Sequence, residues 1–252
     1  MAEALVSLDA VSKAFFIPTT RRTTIREHAF GMFERHAVER LQVLDQVSLD
    51  VMRGETVGIM GRNGSGKSTL LKIIAGVYQA DSGRVHRSVP ITPVLELGLG
   101  WNHELDAVDN IYLLGSVLGL TLTDIRRRLE EMLAFAELER FASLQLKYYS
   151  SGMASRLAYA VAFHAVREVL LLDEIFAVGD AGFRAKCEAR YRQLSEAGHT
   201  IILVSHDPRV VETFCTRALL LEGGRVRASG SGTEIAQEYL TVAMAPVTAG
   251  PQ

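Results

Sequence analysis

Apolar and polar positions alternate in two short stretches near the start of the chain. Val6, Leu8 and Ala10 alternate with Ser7 and Asp9, and Val47, Leu49 and Val51 repeat the pattern. A period of two is that of a half-buried strand. Arg53-Gly54-Glu55 then turns the chain into a third strand, Thr56-Val57-Gly58-Ile59-Met60. From 101 to 166 the period lengthens to that of helices. Asp109 to Gly119 predicts one helix, and Thr123 is expected to cap a second in which Ile125, Leu129, Met132 and Leu133 share a face. Arg126–Glu130 and Arg127–Glu131 stand four apart on its outer face, the spacing of a helical ion pair. Past 166 the pattern changes again. Val169 to Leu172 and Thr200 to Val204 are continuous apolar runs, which suit parallel strands buried on both faces. Arg184 to Leu194 predicts the helix joining them, with Gly198 just beyond its end. Leu219 to Leu221, Gly223-Gly224, then Val226 and Ala228 predict a hairpin. Ser231 and Glu234 have the spacing of a capping box that opens a last helix. Pro246 to Gln252 is expected to be a disordered tail.

Composition adds exclusions. Of 252 residues, 48% are hydrophobic and 22% charged, as in an ordinary globular protein. A net charge of −2 gives no global attraction to nucleic acid, so no nucleic-acid partner is expected. Cys187 and Cys215 have no metal-type spacing and are expected to be buried thiols. The N-terminus Met1-Ala2-Glu3-Ala4 has no basic region followed by an apolar stretch, so no signal peptide is expected. No apolar run approaches the ~18 residues of a spanning helix. A role at a membrane would therefore run through a partner. Pro18 to Arg40 mixes Arg21, Arg22, Arg26 and Arg35 with Glu27, Glu34 and Glu39. It is expected to be a solvated surface segment, with contact to lipid headgroups or a membrane partner as the alternative.

The chemistry concentrates in four places. Gly61-Arg62-Asn63-Gly64-Ser65-Gly66-Lys67-Ser68-Thr69 reads G-x-x-x-x-G-K-S, the phosphate-binding P-loop, between a strand and the helical run Leu70 to Ala75. Its glycines let backbone N–H groups converge on phosphate oxygens, and the helix N-terminus adds a positive dipole end. Lys67 is expected to reach the β- and γ-phosphates, and the Ser68 hydroxyl to sit on Mg²⁺. Asp173-Glu174 ends an apolar strand, where ligands bind in open α/β sheets. Asp173 would hold Mg²⁺, usually through water, and Glu174 would orient or deprotonate the attacking water. His206 ends the next strand and would face the same crevice, within reach of a γ-phosphate. Tyr149-Ser150-Ser151-Gly152-Met153 opens a helix with an anion-accepting N-terminus.

Together these residues resemble the ATP-binding subunit of an ABC transporter, over roughly residues 4 to 240. The resemblance implies an α/β fold: a P-loop ATPase core with a mostly parallel sheet, an N-terminal antiparallel β subdomain and an inserted α-helical subdomain. It implies one nucleotide-binding domain over 1–240, with its core at 1–100 and 166–240, the helical part at 101–165, and a tail at 241–252. In that family Tyr149 to Met153 corresponds to the signature Leu-Ser-Gly-Gly-Gln, which closes over ATP held by the other subunit's P-loop. Ser150 and Gly152 match it, whereas Tyr149, Ser151 and Met153 depart. Phe15 matches the aromatic that stacks on adenine, and Asp180 the aspartate that signals between the two sites. A homodimer binding two ATP with Mg²⁺ follows from the resemblance, as does a separate integral-membrane permease in two copies.

The departures narrow the resemblance. A Ser-Ser-Gly-Met signature, Phe176 to Asp180 and a long insert after Phe15 are similar to the subfamily that exports polysaccharides of the O-antigen, capsule and teichoic acid kind. So is Leu95 to Trp101, in which Glu96 stands where most relatives have a metal-contacting Gln. A carboxylate near a γ-phosphate repels it unless Mg²⁺ intervenes, so Glu96 would contact the ion or a water. Trp101 would face the permease or pack half-buried. The short stretch after Tyr239-Leu240 is expected to leave no room for the extra sugar-binding domain of some of these exporters. Selectivity for the lipid-linked glycan is then expected elsewhere. The resemblance places the protein peripherally on the cytoplasmic face of the inner membrane. The alternatives are an exporter of a drug or lipid, or a soluble ABC ATPase without a transport role.

Overall fold

Two long strands open the chain, β1 (Ala4–Pro18) and β2 (Val38–Met52), paired antiparallel. The computed structural model describes residues 4–18, 38–94, 100–174 and 180–244. The arginines and glutamates between 19 and 37 thus lie outside the described residues, as do Glu96, Phe176 to Gly179 and the tail from 245. Val38 to Arg40, expected in the polar segment, already belong to β2. One face of the ribbon buries Val6, Leu8 and Val11 of β1 against Leu44, Val47, Leu49 and Val51 of β2. Ala10 departs from the predicted alternation. It is exposed, with φ 48°, where the register shifts between Leu8 and Val11. A bulge there re-aims the side chain, and Val11 takes the buried place.

The chain continues through β3 (Thr56–Met60), α1 (Lys67–Ile74), β4 (Ser82–Arg87) and β5 (Ile91–Val94). Strand β4 joins the other edge of β1, giving the antiparallel order β2-β1-β4. Neither β4 nor β5 is predicted above: β4 is almost wholly exposed and carries no apolar alternation.

The helical region follows as α2 (Ala107–Val117), α3 (Leu122–Ala136) and α4 (Ser151–His164). Helix α2 starts two residues before its predicted start, because the Asp106 carboxylate accepts from the Asp109 amide. The cap of α3 is Thr121, not Thr123. The Thr121 hydroxyl accepts from the Asp124 amide at 3.1 Å and donates to the Asp124 carboxylate at 2.6 Å, so Thr123 falls inside the first turn. Ile125, Met132 and Leu133 are buried and Leu129 is half-buried, as the periodicity predicts. Arg127 pairs backward with Asp124 at 2.9 Å rather than forward with Glu131.

The remaining elements are β6 (Val169–Asp173), α5 (Ala181–Glu196), β7 (Thr200–Val204), α6 (Pro208–Phe214), β8 (Arg217–Glu222), β9 (Arg225–Gly230) and α7 (Gly232–Met244). They complete a six-stranded sheet, order β5-β6-β7-β3-β8-β9, parallel except for β9. Strands β3 and β7 are buried at every residue, the burial that continuous apolar runs predict. The β8–β9 turn places Gly223 at φ 55° and Gly224 at φ 78°, the two left-handed positions that a two-residue hairpin needs. Ser231 and Glu234 form the reciprocal capping box, at 2.8 and 3.3 Å. Cys187 and Cys215 are buried, and burial pushes both thiols up to about 12. Among the described residues no helix is long and apolar enough to cross a membrane.

Candidate nucleotide-binding site

The buried strand β3 delivers the chain to Gly61, where there is no room for a side chain. A Cβ there would lie 2.4 Å from the Leu221 carbonyl oxygen and 2.5 Å from Ser65 Oγ. Gly66, at φ 104°, stands at the N-terminus of α1 with no side-chain cap. The first amides of α1 are therefore left to a ligand. Lys67 is 8% exposed, and its ammonium donates to the carbonyls of Gly61 at 2.8 Å and Arg62 at 3.0 Å. Burial lowers its pKa, while the carboxylates of Glu174 and Asp173 pull it back up. The lysine is therefore held over the loop by carbonyls and balanced by two acids across it.

Strand order brings the acids there. β6 and β7 pair in parallel, as do β7 and β3, with Asp173 beside Val204 and Val204 beside Ile59. The carboxyl ends of three adjacent strands thus present Gly61, Asp173-Glu174 and Ser205-His206 side by side. Glu174 has φ 51°, a strained conformation for a residue with a side chain, and such strain gathers at functional sites. Its amide donates to the Val204 carbonyl at 3.0 Å, and its Oε1 lies 2.8 Å from His206 Nδ1. The sequence places both residues in one crevice, and the structure makes them partners.

The resulting cleft, of about 660 Å³, is lined by Asn63, Gly64 and Gly66 to Thr69, with Asp173 and Glu174 across from them and Leu41 and Val43 along one side. Its volume is that of a small-ligand site. Ser68 and Asp173 offer hard oxygen donors, the chemistry that Mg²⁺ takes. Arg62 and Ser65 do not line it. With Asn63 and Gly64 they border a smaller cleft, of about 300 Å³, against Leu221 and Tyr239. Phe15 stands directly across from Leu41 in the β1–β2 register, on the same face as a residue that lines the site. Its ring meets Tyr78 edge-on at 5.6 Å, with the Lys13 ammonium 5.6 Å from its centre.

Ser150 and Gly152 lie elsewhere, in a separate cleft that also contains Met153, Arg156 and Asp180. Ser150 caps α4, accepting from the Met153 amide at 3.2 Å. Asp180 caps α5, accepting from the Phe183 amide at 2.9 Å, which is why that helix begins earlier than its apolar periodicity suggests. Tyr149 turns inward and donates to the Phe141 carbonyl at 2.8 Å. Trp101 is half-buried and packs against the core.

Two features escape the sequence reading. Leu41 and Val43 line the cleft but sit in a strand whose pattern starts only at Val47 above. Asn110 is fully buried on α2 and shapes the turn from Asn102 to Asp106. Its Oδ1 accepts from the Asn102 amide at 2.8 Å, and its Nδ2 donates to the carbonyls of Asn102, Leu105 and Asp106. The available signal is an amide at a core-facing position between Ala107 and Ile111.

A P-loop opening onto acids at the ends of neighbouring parallel strands defines a class, the P-loop nucleotide-binding proteins. Comparison with known proteins goes further. Residues 44–177 match the family model described as ABC transporter. The chain is 40% identical over 239 residues to the ABC transporter protein AbcA of Aeromonas salmonicida, covering 95% of this chain and 77% of that one. It is 38% identical over 244 residues to the O-antigen export system ATP-binding protein RfbB of Myxococcus xanthus, covering 92% of this chain and spanning 56% of the relative's length. Among solved structures it is similar to a dimeric ATP-binding cassette in a post-hydrolysis state with ADP and Pi, at a TM-score of 0.70 and 26% identity, covering 90% of this chain and 98% of that chain. The chain belongs to the ABC transporter family.

Proposed function

We propose that this chain is the ATP-hydrolysing subunit of an exporter that moves a lipid-linked polysaccharide, of the O-antigen or teichoic acid kind, through a separate membrane permease. The observation that carries the reading is the division of its chemistry. Lys67, Asp173 and Glu174 line one cleft, with His206 bonded to Glu174, while Ser150 and Gly152 line another. A single copy therefore holds two half-sites. Two copies related by a two-fold axis would complete both, each P-loop cleft closed by the partner's signature. The export role and the glycan class rest on the O-antigen relative and on the Ser-Ser-Gly-Met signature.

In this reading the amides at the start of α1 and the Lys67 ammonium bind the phosphates, and Glu174 orients water in line with the γ-phosphate. His206, joined to Glu174, fixes the carboxylate's direction and meets charge on the γ-phosphate. Ser68 and Asp173 would hold Mg²⁺, which neutralises charge developing on the phosphate oxygens. Phe15 would stack on the base and Asp180 would link the two sites, and the resemblance would give Glu96, which lies outside the described residues, the ion or its water. The protein would work on the cytoplasmic face of the inner membrane, bound to two permease subunits.

The test is Glu174→Gln with ATP and Mg²⁺ in size-exclusion chromatography. We expect a stable dimer whose formation is lost with Lys67→Ala. A species that stays monomeric at saturating ATP would refute the composite site. Mild-detergent purification of the same variant from its native cells should then co-purify a small integral permease, and ribosomal or DNA-repair proteins in its place would refute the transport role.

A further inference from the structure

Arg156 lies on α4, beyond the turn that begins it, and its guanidinium joins three elements. It donates to Glu137 Oε2 at 2.7 Å and pairs with Asp180 Oδ2, and it lies 5.1 Å from the centre of the Phe183 ring. Glu137 is the left-handed C-cap of α3, at φ 61°. Its second oxygen takes Lys186 of α5 at 3.1 Å, and Lys186 also donates to the Phe135 carbonyl at 3.0 Å. Asp180 uses its other oxygen to cap α5. Two cations and two carboxylates satisfy one another, so the cluster is complete without an added ion. Arg156 is the one member that reaches both acids. A planar guanidinium can hold two carboxylates in fixed directions, which the point charge of a lysine cannot.

We infer that Arg156 is a positioning residue: it locks the signature turn, the end of α3 and Asp180 into one body, so that the face offered to a second copy is assembled before the copies meet. The inference rests on the composite-site reading above. It has a consequence for Asp180, whose carboxylate is engaged on both oxygens within its own subunit. Its direction at the interface is then set by Arg156. Both acids are held below the usual carboxylate range, Glu137 mainly by its Lys186 bond and Asp180 mainly by the Phe183 amide, with Arg156 adding to each.

The experiment compares Arg156→Met, Arg156→Lys and Glu137→Gln in the full chain. Affinity for a fluorescent ATP analogue should be unchanged, since the P-loop cleft contains none of these residues. The kcat of Arg156→Met should fall about 10- to 100-fold. Arg156→Lys should recover only part of the loss, and Glu137→Gln, which cuts one leg, should lose less. In hydrogen exchange the Met153 and Phe183 amides should open faster in Arg156→Met, with Gly66 to Thr69 unaffected. Unchanged kcat in Arg156→Met, or a parallel loss of nucleotide affinity, would overturn the inference. If Glu174→Gln never dimerises, the composite reading fails by itself. The locking of the two helix starts is still decided by exchange, since slow exchange retained at either amide rejects it.

Discussion

The P-loop cleft and the signature cleft use the same local device, a helix N-terminus, and differ in what holds it. Around the P-loop the support is the sheet. β3 and β7 are wholly buried, Gly61 packs against the Leu221 carbonyl, and Lys67 is held by backbone oxygens. Around the signature the support is charge near the surface. Ser150 is exposed, Arg156 joins Glu137 and Asp180, and Lys186 takes the other oxygen of Glu137. Buried apolar layers make a site that is rigid whether or not a partner is present. Ion pairs near the surface stabilise weakly, so this face depends on the one guanidinium that ties both acids together. On the proposed function, one cleft binds alone and the other meets a partner.

The widest break between the two comes from substitutions in each. Lys67→Ala should abolish tight nucleotide binding in the isolated chain, measured by titration with a fluorescent ATP analogue. Glu174→Gln should retain binding and lose about 10²- to 10⁴-fold in kcat, the usual contribution of a positioned base. Ser150→Ala should leave monomer affinity intact and act only on hydrolysis, with cooperativity in protein concentration. If Ser150→Ala instead weakened binding by the monomer, the two clefts would be one site and the contrast would collapse.

A smaller effect sharpens the difference between buried and surface charge. Glu55, at the turn into β3, accepts from Arg217 Nε at 2.6 Å and Nη2 at 3.1 Å, in a setting that leaves its side chain only 16% exposed. Burial pushes the Glu55 carboxyl up, but the Arg217 and Met52 hydrogen bonds outweigh it and the net shift is down from 4.5. A depressed carboxylate contributes stability that is present above its unfolded value and lost as pH falls through its folded one. Arg217→Met should therefore cost about 2 kcal/mol at pH 7, seen as a lower denaturation midpoint, and should flatten the acid limb below about pH 4.5. Glu137→Gln, in the surface cluster, should cost less than 1 kcal/mol.

The same contrast explains how much was legible. β6 and β7 are readable because a strand buried on both faces must be apolar throughout, and the P-loop because close phosphate contact demands glycines and a lysine at fixed offsets. Leu41 and Val43 are not, because in β2 the sheet edge, the bulge at Gln46, the bulge at Ala10 of its partner β1 and the cleft override a simple alternation. Exposed β4 is held by pairing to β1 rather than by burial. Thr123 and Thr121 both precede an apolar face, and only the Asp124 carboxylate, which returns to the Thr121 hydroxyl, decides between them. Arg156 is silent in sequence because its partners lie on α3 and at the start of α5, distant in the chain.

The smallest effect tests whether the contrast extends to the base. Phe15 and Leu41 are cross-strand partners in the antiparallel ribbon, and Leu41 lines the P-loop cleft. An aromatic there can offer a face to adenine beside its T-shaped contact with Tyr78. Phe15→Ala should then weaken ATP binding by about 1 kcal/mol, roughly fivefold in Kd. A ligand that lacks the base, such as tripolyphosphate, should bind the variant and the parent equally. An equal loss for both ligands would place the effect in the packing of the ribbon. No loss for either would leave Leu41 and Val43 as the apolar side of the nucleotide site, and base recognition would then belong to the strand that also supports the P-loop through Gly66 and Val43.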